Sequence, residues 1–257
     1  MRLLAYVAFA ALLLIISSSH AYFNVTYLNT TVILQKNTSA HVIEVITLYI
    51  SNSSLTQYEQ DRQAINLTLS DWQNALGTNL LFEHILNPQA SISKFTFLPG
   101  PAVRYGNSGT ALLTMNYYVN NVTTVSNIAP RKFEYVFNSK VLNFMHTASG
   151  VALYPNSRLN IIIPSGSQVV SIYPAPDYPP PSFFGNYTGI TTFSWFSEEP
   201  LTKFSFSYIV TESLEDEVSN YFAGIFKNYS LELYILVFAA VALIVIYLYM
   251  KVIRVIE

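Results

Sequence analysis

Residues 31–50 read TVILQKNTSAHVIEVITLYI. Thr31–Gln35 and His41–Ile50 are rich in β-branched residues. Between them Lys36-Asn37-Thr38-Ser39 supplies turn chemistry, so the stretch predicts an antiparallel hairpin. Strand side chains alternate, which puts Val42, Glu44, Ile46 and Leu48 on one face and His41, Ile43, Val45 and Thr47 on the other. Neither face is cleanly polar. The second strand is therefore expected to be central in its sheet and covered on both sides.

The same period continues downstream. Strands are expected over Ser93–Leu98, Ala111–Val119, Lys132–Phe137, Leu159–Ile163, Val169–Tyr173, Ile190–Phe196 and Lys203–Thr211. The breaks carry Pro99-Gly100-Pro101, Asn107-Ser108-Gly109, Pro164-Ser165-Gly166 and Glu198-Glu199-Pro200, all turn formers. Short strands at this spacing point to an antiparallel sandwich, as one domain or as two β-rich modules. Ala148-Ser149-Gly150 interrupts the pattern and marks a sub-boundary near 147–150. The fold class expected is mainly β with a minor helical insertion.

That insertion lies between the hairpin and the later strands. Thr56-x-x-Glu59 and Ser70-x-x-Gln73 have capping-box spacing, and Gly77 suits a helix C-terminus. Tyr58, Ile65, Leu69, Trp72 and Leu76 recur at helical spacing and form an apolar stripe for a sheet face. A third box, Ser213-x-x-Asp216, opens LEDEVSNYFAGIFKNY, expected as a juxtamembrane helix over 213–230. Its Leu214, Val218, Phe222, Ile225 and Phe226 share one face.

The two ends are apolar. Arg2, the run Leu3–Ile16, and Ser19-x-Ala21 have the form of a signal peptide over 1–21. At ~1.5 Å per residue the run is about 21 Å long, short of a bilayer core. Leu233–Met250 has no charge and spans about 27 Å as a helix, which predicts a transmembrane segment over 231–250. Tyr229, Tyr234, Tyr247 and Tyr249 flank it, as interfacial aromatics do. Lys251 and Arg254 then place the tail, 251–257, on the cytoplasmic side. The expected localisation is the cell membrane, single-pass, with an extracellular domain over 22–212 and the lipid bilayer as a partner.

The chain has 257 residues, of which 51% are hydrophobic and 11% charged, with a net charge of −2. Soluble domains carry about 25% charged residues. Here the ends are apolar and the middle is rich in Ser, Thr, Asn and Tyr. No basic field points to nucleic acid. The chain has no cysteine, which excludes thiol catalysis, cysteine–zinc sites and disulfides. An exported domain of this kind relies on its apolar core, for which about 190 residues suffice.

Asn-x-Ser/Thr occurs at Asn24, Asn29, Asn37, Asn52, Asn66, Asn121, Asn186 and Asn228. The Asn, Ser and Thr content yields roughly 3.5 such motifs by chance. The excess, lying wholly between the two apolar ends, predicts a glycosylated extracellular domain. Many glycosylation signals without a cysteine are unusual for a eukaryotic ectodomain, and point to an archaeal cell surface.

His41, His84 and His146 have no metal-ligand spacing, and no HExxH motif occurs. No GxSxG elbow accompanies His146 and Ser149. No phosphate loop or dinucleotide fingerprint occurs. No catalytic residue, metal ligand or cofactor is assigned. Glu212, Glu215, Asp216 and Glu217 read as solvated acids of a helix's first turn rather than a cation site.

Tyr173-Pro174-Ala175-Pro176-Asp177-Tyr178-Pro179-Pro180-Pro181 is the most distinctive local stretch. Its prolines favour an extended polyproline II course. From it Tyr173, Tyr178, Phe183 and Phe184 could project as a contact loop for a partner or a glycan. The alternative is a stiff connection whose rings fold back onto the domain.

TVILQKNTSAHVIEVITLYI, LNIIIPSGSQVVSIYPAPD and TFSWFSEEPLTKFSFSYIV together resemble the uncharacterised single-pass surface proteins of archaea. The residues that carry the resemblance are Pro164, Gly166, Pro174, Pro176, Asp177, Trp195 and Tyr208. What it implies is an exported β-rich domain on a C-terminal anchor, with no activity or site attached. The function expected is a non-enzymatic surface or accessory subunit that works by contact with a membrane or envelope protein, or with glycans. The alternative is a membrane-anchored hydrolase of envelope polymers. That activity would need Glu44, Glu134 or Asp177 to meet a second carboxylate within about 5–9.5 Å.

Overall fold

The computed structural model describes residues 23–64, 66–78, 80–180, 187–215, 217–219 and 223. The expected signal peptide, transmembrane segment and cytoplasmic tail lie outside these, as do Asn186, Asn228, Phe183 and Phe184. No helix among the described residues is long and apolar enough to cross a membrane.

The domain is mainly β. The predicted hairpin is present and longer than expected. Strand β1 (Phe23–Leu34) pairs antiparallel with β2 (Ala40–Ser51). The turn closes with the Gln35 N–H donating to the Ser39 carbonyl at 2.9 Å, and Thr38 adopts φ 68°. The Ser39 hydroxyl donates to Asn37 Oδ1 at 2.7 Å. The first half of β1, FNVTYLNT, was not expected as strand. Its asparagines are poor strand formers, yet pairing with β2 runs through it, with a register shift between Val25 and Tyr27.

The first sheet continues with β3 (Ser93–Pro99), β4 (Val103–Tyr105) and β5 (Ser108–Val119), then later β10 (Ser157–Ile162) and β12 (Thr192–Phe196). Its order is β12-β10-β1-β2-β5-β3, with β4 also on β5. Pairing is antiparallel except β1–β10, which is parallel. Parallel neighbours need a long crossover, and no local pattern reveals which distant strands will meet. The parallel pair also joins strands from either side of the expected sub-boundary into one sheet. Residues 147–150 are themselves the turn between β8 (Met145–Thr147) and β9 (Gly150–Ala152).

The second sheet has the order β11-β13-β7-β6. Its strands are β6 (Thr123–Ala129), β7 (Lys132–Phe137), β11 (Gln168–Tyr173) and β13 (Ser205–Thr211). Aromatic side chains on β13 and just before it meet those of β12 in the first sheet. Phe193 lies 5.4 Å from Phe206 and Trp195 lies 5.0 Å from Phe204, both edge to face. Such pairs add about 0.5–1.5 kcal/mol beyond the area they bury.

Val42, Glu44, Ile46 and Leu48 share one fully buried face of β2, as expected. The opposite face is not covered: His41, Ile43, Val45 and Thr47 are half-buried and Tyr49 is exposed. Here β-branched residues line an open sheet face, packing against cross-strand neighbours rather than a second layer. His41 stacks on Tyr118 at 4.6 Å, and Lys94 lies over the same ring.

Two helices cover part of the buried face. Helix α1 is Leu55–Gln63 and α2 is Leu69–Leu76. Tyr58 and Trp72 enter a cluster with Phe23 and Phe97, and Leu76 is buried beside them. Ile65 of the expected stripe lies outside the described residues. Two expected capping boxes are not made. Helix α1 starts one residue before Thr56, after Ser54 with no side-chain cap, and Glu59 instead pairs with Arg62 at 2.6 Å and accepts the Ala102 N–H at 2.9 Å. Helix α2 is boxed two residues earlier than Ser70 predicts, by Thr68 with Asp71. Gly77 ends it at φ 60°, in the left-handed conformation that suits glycine.

The chain divides into two compact units. Residues 23–128 and 134–210 belong to the first. Ala129–Phe133 and the described residues from Thr211 onward belong to the second. Within that second unit the Glu212 N–H donates to the Arg131 carbonyl at 2.8 Å, and Arg131 lies 3.9 Å from Glu217. Leu214 and Val218, two residues of the expected juxtamembrane helix, are helical and exposed. Asp216, the acid of its expected capping box, lies outside the described residues.

Candidate functional site

The proline-rich stretch follows β11 and is tied down along its length. The Trp195 indole Nε1–H donates to the Pro174 carbonyl at 3.0 Å. Asp177 and Tyr178 pair with Ser194 by backbone hydrogen bonds of 2.8–3.2 Å. The Asp177 carboxylate accepts the Phe196 N–H at 2.7 Å. Pro174, Pro176 and Pro179 are buried. The peptide bonds Tyr173–Pro174 and Tyr178–Pro179 are cis. The stretch thus folds back along β12 instead of running as an extended polyproline II rod. Residues predicted only by composition gain a definite course from β12, which sequence spacing could not have paired with them.

The two tyrosines do not fold back with it. Tyr173 is 56% exposed and Tyr178 54% exposed. The backbone that carries them is hydrogen-bonded to β12, so both rings are presented on a fixed support.

Beside Tyr173 is an open cleft of about 250 Å³, lined by Ser149, Tyr173, Pro174, Glu199, Pro200, Thr202 and Lys203. Its far wall is the β8–β9 turn, joined to residues 199–202. The Leu153 N–H donates to the Glu199 carbonyl at 3.0 Å, and the Leu201 N–H to the Val151 carbonyl at 2.7 Å. The Thr202 hydroxyl donates to the Ser149 carbonyl at 2.8 Å. Gly150 sits at φ 116°, and a Cβ there would lie 2.3 Å from Thr202 Oγ1. Only glycine fits this approach. Burial, followed by the charge of Asp177, holds the Glu199 carboxyl above its ordinary range. In the sequence Glu199 reads only as part of the turn Glu198-Glu199-Pro200. No sequence signal brings it to Tyr173, since the link runs through the β8–β9 hairpin.

Set against known proteins, the chain matches no family model and no curated protein.

The remaining candidates are placed as follows. Glu44 is fully buried on β2. Its carboxylate accepts the His84 backbone N–H at 2.8 Å, faces His84 Nδ1 and accepts the Tyr117 hydroxyl proton. Tyr117 in turn accepts the Ile85 N–H at 3.2 Å. Burial, then the Glu44 charge, pushes the Tyr117 hydroxyl far above its ordinary value, so it stays protonated. His84 is ringed by Phe82, Phe144 and Tyr154, and its Nε2 has no hydrogen-bond partner among the described residues. This cluster fastens the segment after α2 onto the first sheet. Glu134 is half-buried on β7, in alternation with the buried Tyr135 and Phe137, and is not part of it. His146 is exposed on β8, and the neighbouring Ser149 hydroxyl is 3.0 Å from Thr147 Oγ1. Among the described residues no three His, Asp or Glu side chains group as metal ligands do.

Six sequon asparagines fall among the described residues. Asn24, Asn37, Asn52, Asn66 and Asn121 are exposed. Asn29 is half-buried, and its Oδ1 accepts from Asn160 Nδ2 at 2.8 Å.

Proposed function

We propose that this protein is a surface-displayed, N-glycosylated β domain on a C-terminal membrane anchor, working by contact through the loop at 173–178. The observation that carries the contact reading is the pairing of a pinned backbone with exposed rings. Presenting a tyrosine on a prepared support lowers the ordering cost of binding, because little loop freedom is lost on association. The apolar ends support the anchor and the export signal. The exposed sequon asparagines are sterically open to a glycan. The likeness to archaeal single-pass surface proteins fits the same reading.

The contact role is tested by the double variant Tyr173→Ala/Tyr178→Ala. Neither ring fills the core, so unfolding should change by less than about 0.5 kcal/mol. Partner proteins co-purified from gently solubilised native membranes should be lost. Retention of the same partners by the variant would refute the contact role.

The hydrolase reading keeps one observation in its favour. Asp177 and Glu199 both bond to the Phe196 backbone, and the Asp177 charge adds to burial in raising the Glu199 carboxyl; paired carboxylates divide acid and base roles in this way. Release of reducing ends from envelope polysaccharide by wild type, abolished in Glu199→Gln, would replace the contact role with an enzymatic one.

A further inference from the structure

We propose that the cleft between Tyr173 and the β8–β9 turn binds a neutral sugar unit of a surface glycan. This deepens the contact reading above and rests on it. Three observations lead to this ligand class.

The first is which groups remain free to bind. Much of the main chain around the cleft is already engaged. The Pro174 carbonyl accepts from Trp195, the Ser149 carbonyl from Thr202, and the Glu199 carbonyl from Leu153. The Glu199 N–H donates to Phe196, the Leu201 N–H donates to Val151, and Pro174 and Pro200 have no N–H. A peptide adding as a strand needs free main-chain groups at the edge it joins. A sugar is recognised by side chains, and Glu199, Lys203 and Tyr173 supply a carboxyl, an ammonium and a phenol.

The second is charge. Lys203 is offset by Glu199 within the cleft, and the Asp177 charge acts on Glu199 from nearby. No cationic excess exists to hold a phosphate, sulfate or uronate, which favours an uncharged, hydroxyl-rich ligand.

The third is shape. The Tyr173 ring is exposed at one side, with Pro200 giving apolar surface beside it. A pyranose has an apolar C–H face and an equatorial rim of hydroxyls, matching an aromatic ring next to polar side chains. The volume of about 250 Å³ falls below the ~300–1,000 Å³ of sites for drug-sized ligands. It suits one ring of a chain that continues into solvent.

The test is titration of the purified full-length protein in detergent with mannose, glucose and N-acetylglucosamine disaccharides, followed by NMR of the sugar. Saturable binding of at least one disaccharide is expected. Tyr173→Ala and Glu199→Ala should each weaken it by about tenfold or more, while Tyr173→Phe keeps the ring and keeps binding. Tyr105→Ala, which removes an exposed ring outside the cleft lining, should leave it unchanged. No saturable binding, or equal binding by Tyr173→Ala, overturns the proposal, as does displacement of sugar by a Tyr-Pro-rich peptide. Absence of sugar binding combined with loss of membrane partners in the Tyr173/Tyr178 double variant would sink the sugar site and leave the contact role standing.

Discussion

At the scale of the residue, Glu44 has the most to lose. Its carboxylate serves three donors in a dry setting, and removing it leaves His84 and Tyr117 without their acceptor. Breaking such a buried cluster on one side costs about 3–5 kcal/mol. Glu44→Ala is therefore expected to lower unfolding stability by that amount in denaturant titration, with Tyr117→Phe costing less because it removes only one donor. Glu199 behaves in the opposite sense. Its carboxyl is held above the ordinary value of 4.5 by burial and by Asp177. The folded state therefore binds that proton more tightly than the unfolded state does. Stability drawn from it is present below pH 4.5 and is lost as pH rises through the raised value. Glu199→Gln should raise the melting temperature at pH 7 and give no gain below about pH 4. An equal gain at both pH values would show that Glu199 is not so perturbed.

At the scale of the element, the hydrophobic period carried most of the information. The alternation in 41–50 placed Val42, Glu44, Ile46 and Leu48 together, and they are together and buried. The runs at 132–137 and 203–211 were legible for the same reason, the second forming strand from Ser205 onward, as was the Gly77 helix end. What was missed was short or depended on distant partners. β4 and β9 have only three residues each, too few to show a period. β6 is nearly all exposed, so it has no apolar alternation to read. The parallel β1–β10 pair depends on topology. So does the cleft, whose Glu199 reaches Tyr173 only through the β8–β9 hairpin. Gly150 tests that placement. With φ 116° and Thr202 at 2.3 Å from an added Cβ, Gly150→Ala should cost about 1–3 kcal/mol. It should also disturb sugar binding, read by the same NMR titration. Amide exchange supplies a second test at this scale. β1, β2 and β5 should be protected longest, since each is paired along its length and faces the core, and β4 and β6 should exchange early.

At the scale of the whole molecule, the proposal joins an exposed-loop β domain to an export signal and a lipid anchor. Glycans belong to this scale too. Intact mass of the native protein should exceed that of the unmodified chain, and site mapping should find Asn24, Asn37, Asn52, Asn66 and Asn121 occupied more fully than Asn29, whose side chain is held by Asn160. A native protein at its unmodified mass would remove glycosylation from the account. The display itself is tested most directly by protease added to intact cells. The account predicts that an impermeant protease digests the β domain, leaving a short membrane-held fragment that resists alkaline extraction and contains Leu233–Met250. A full-length chain surviving in intact cells, yet digested once the cells are opened, would contradict it.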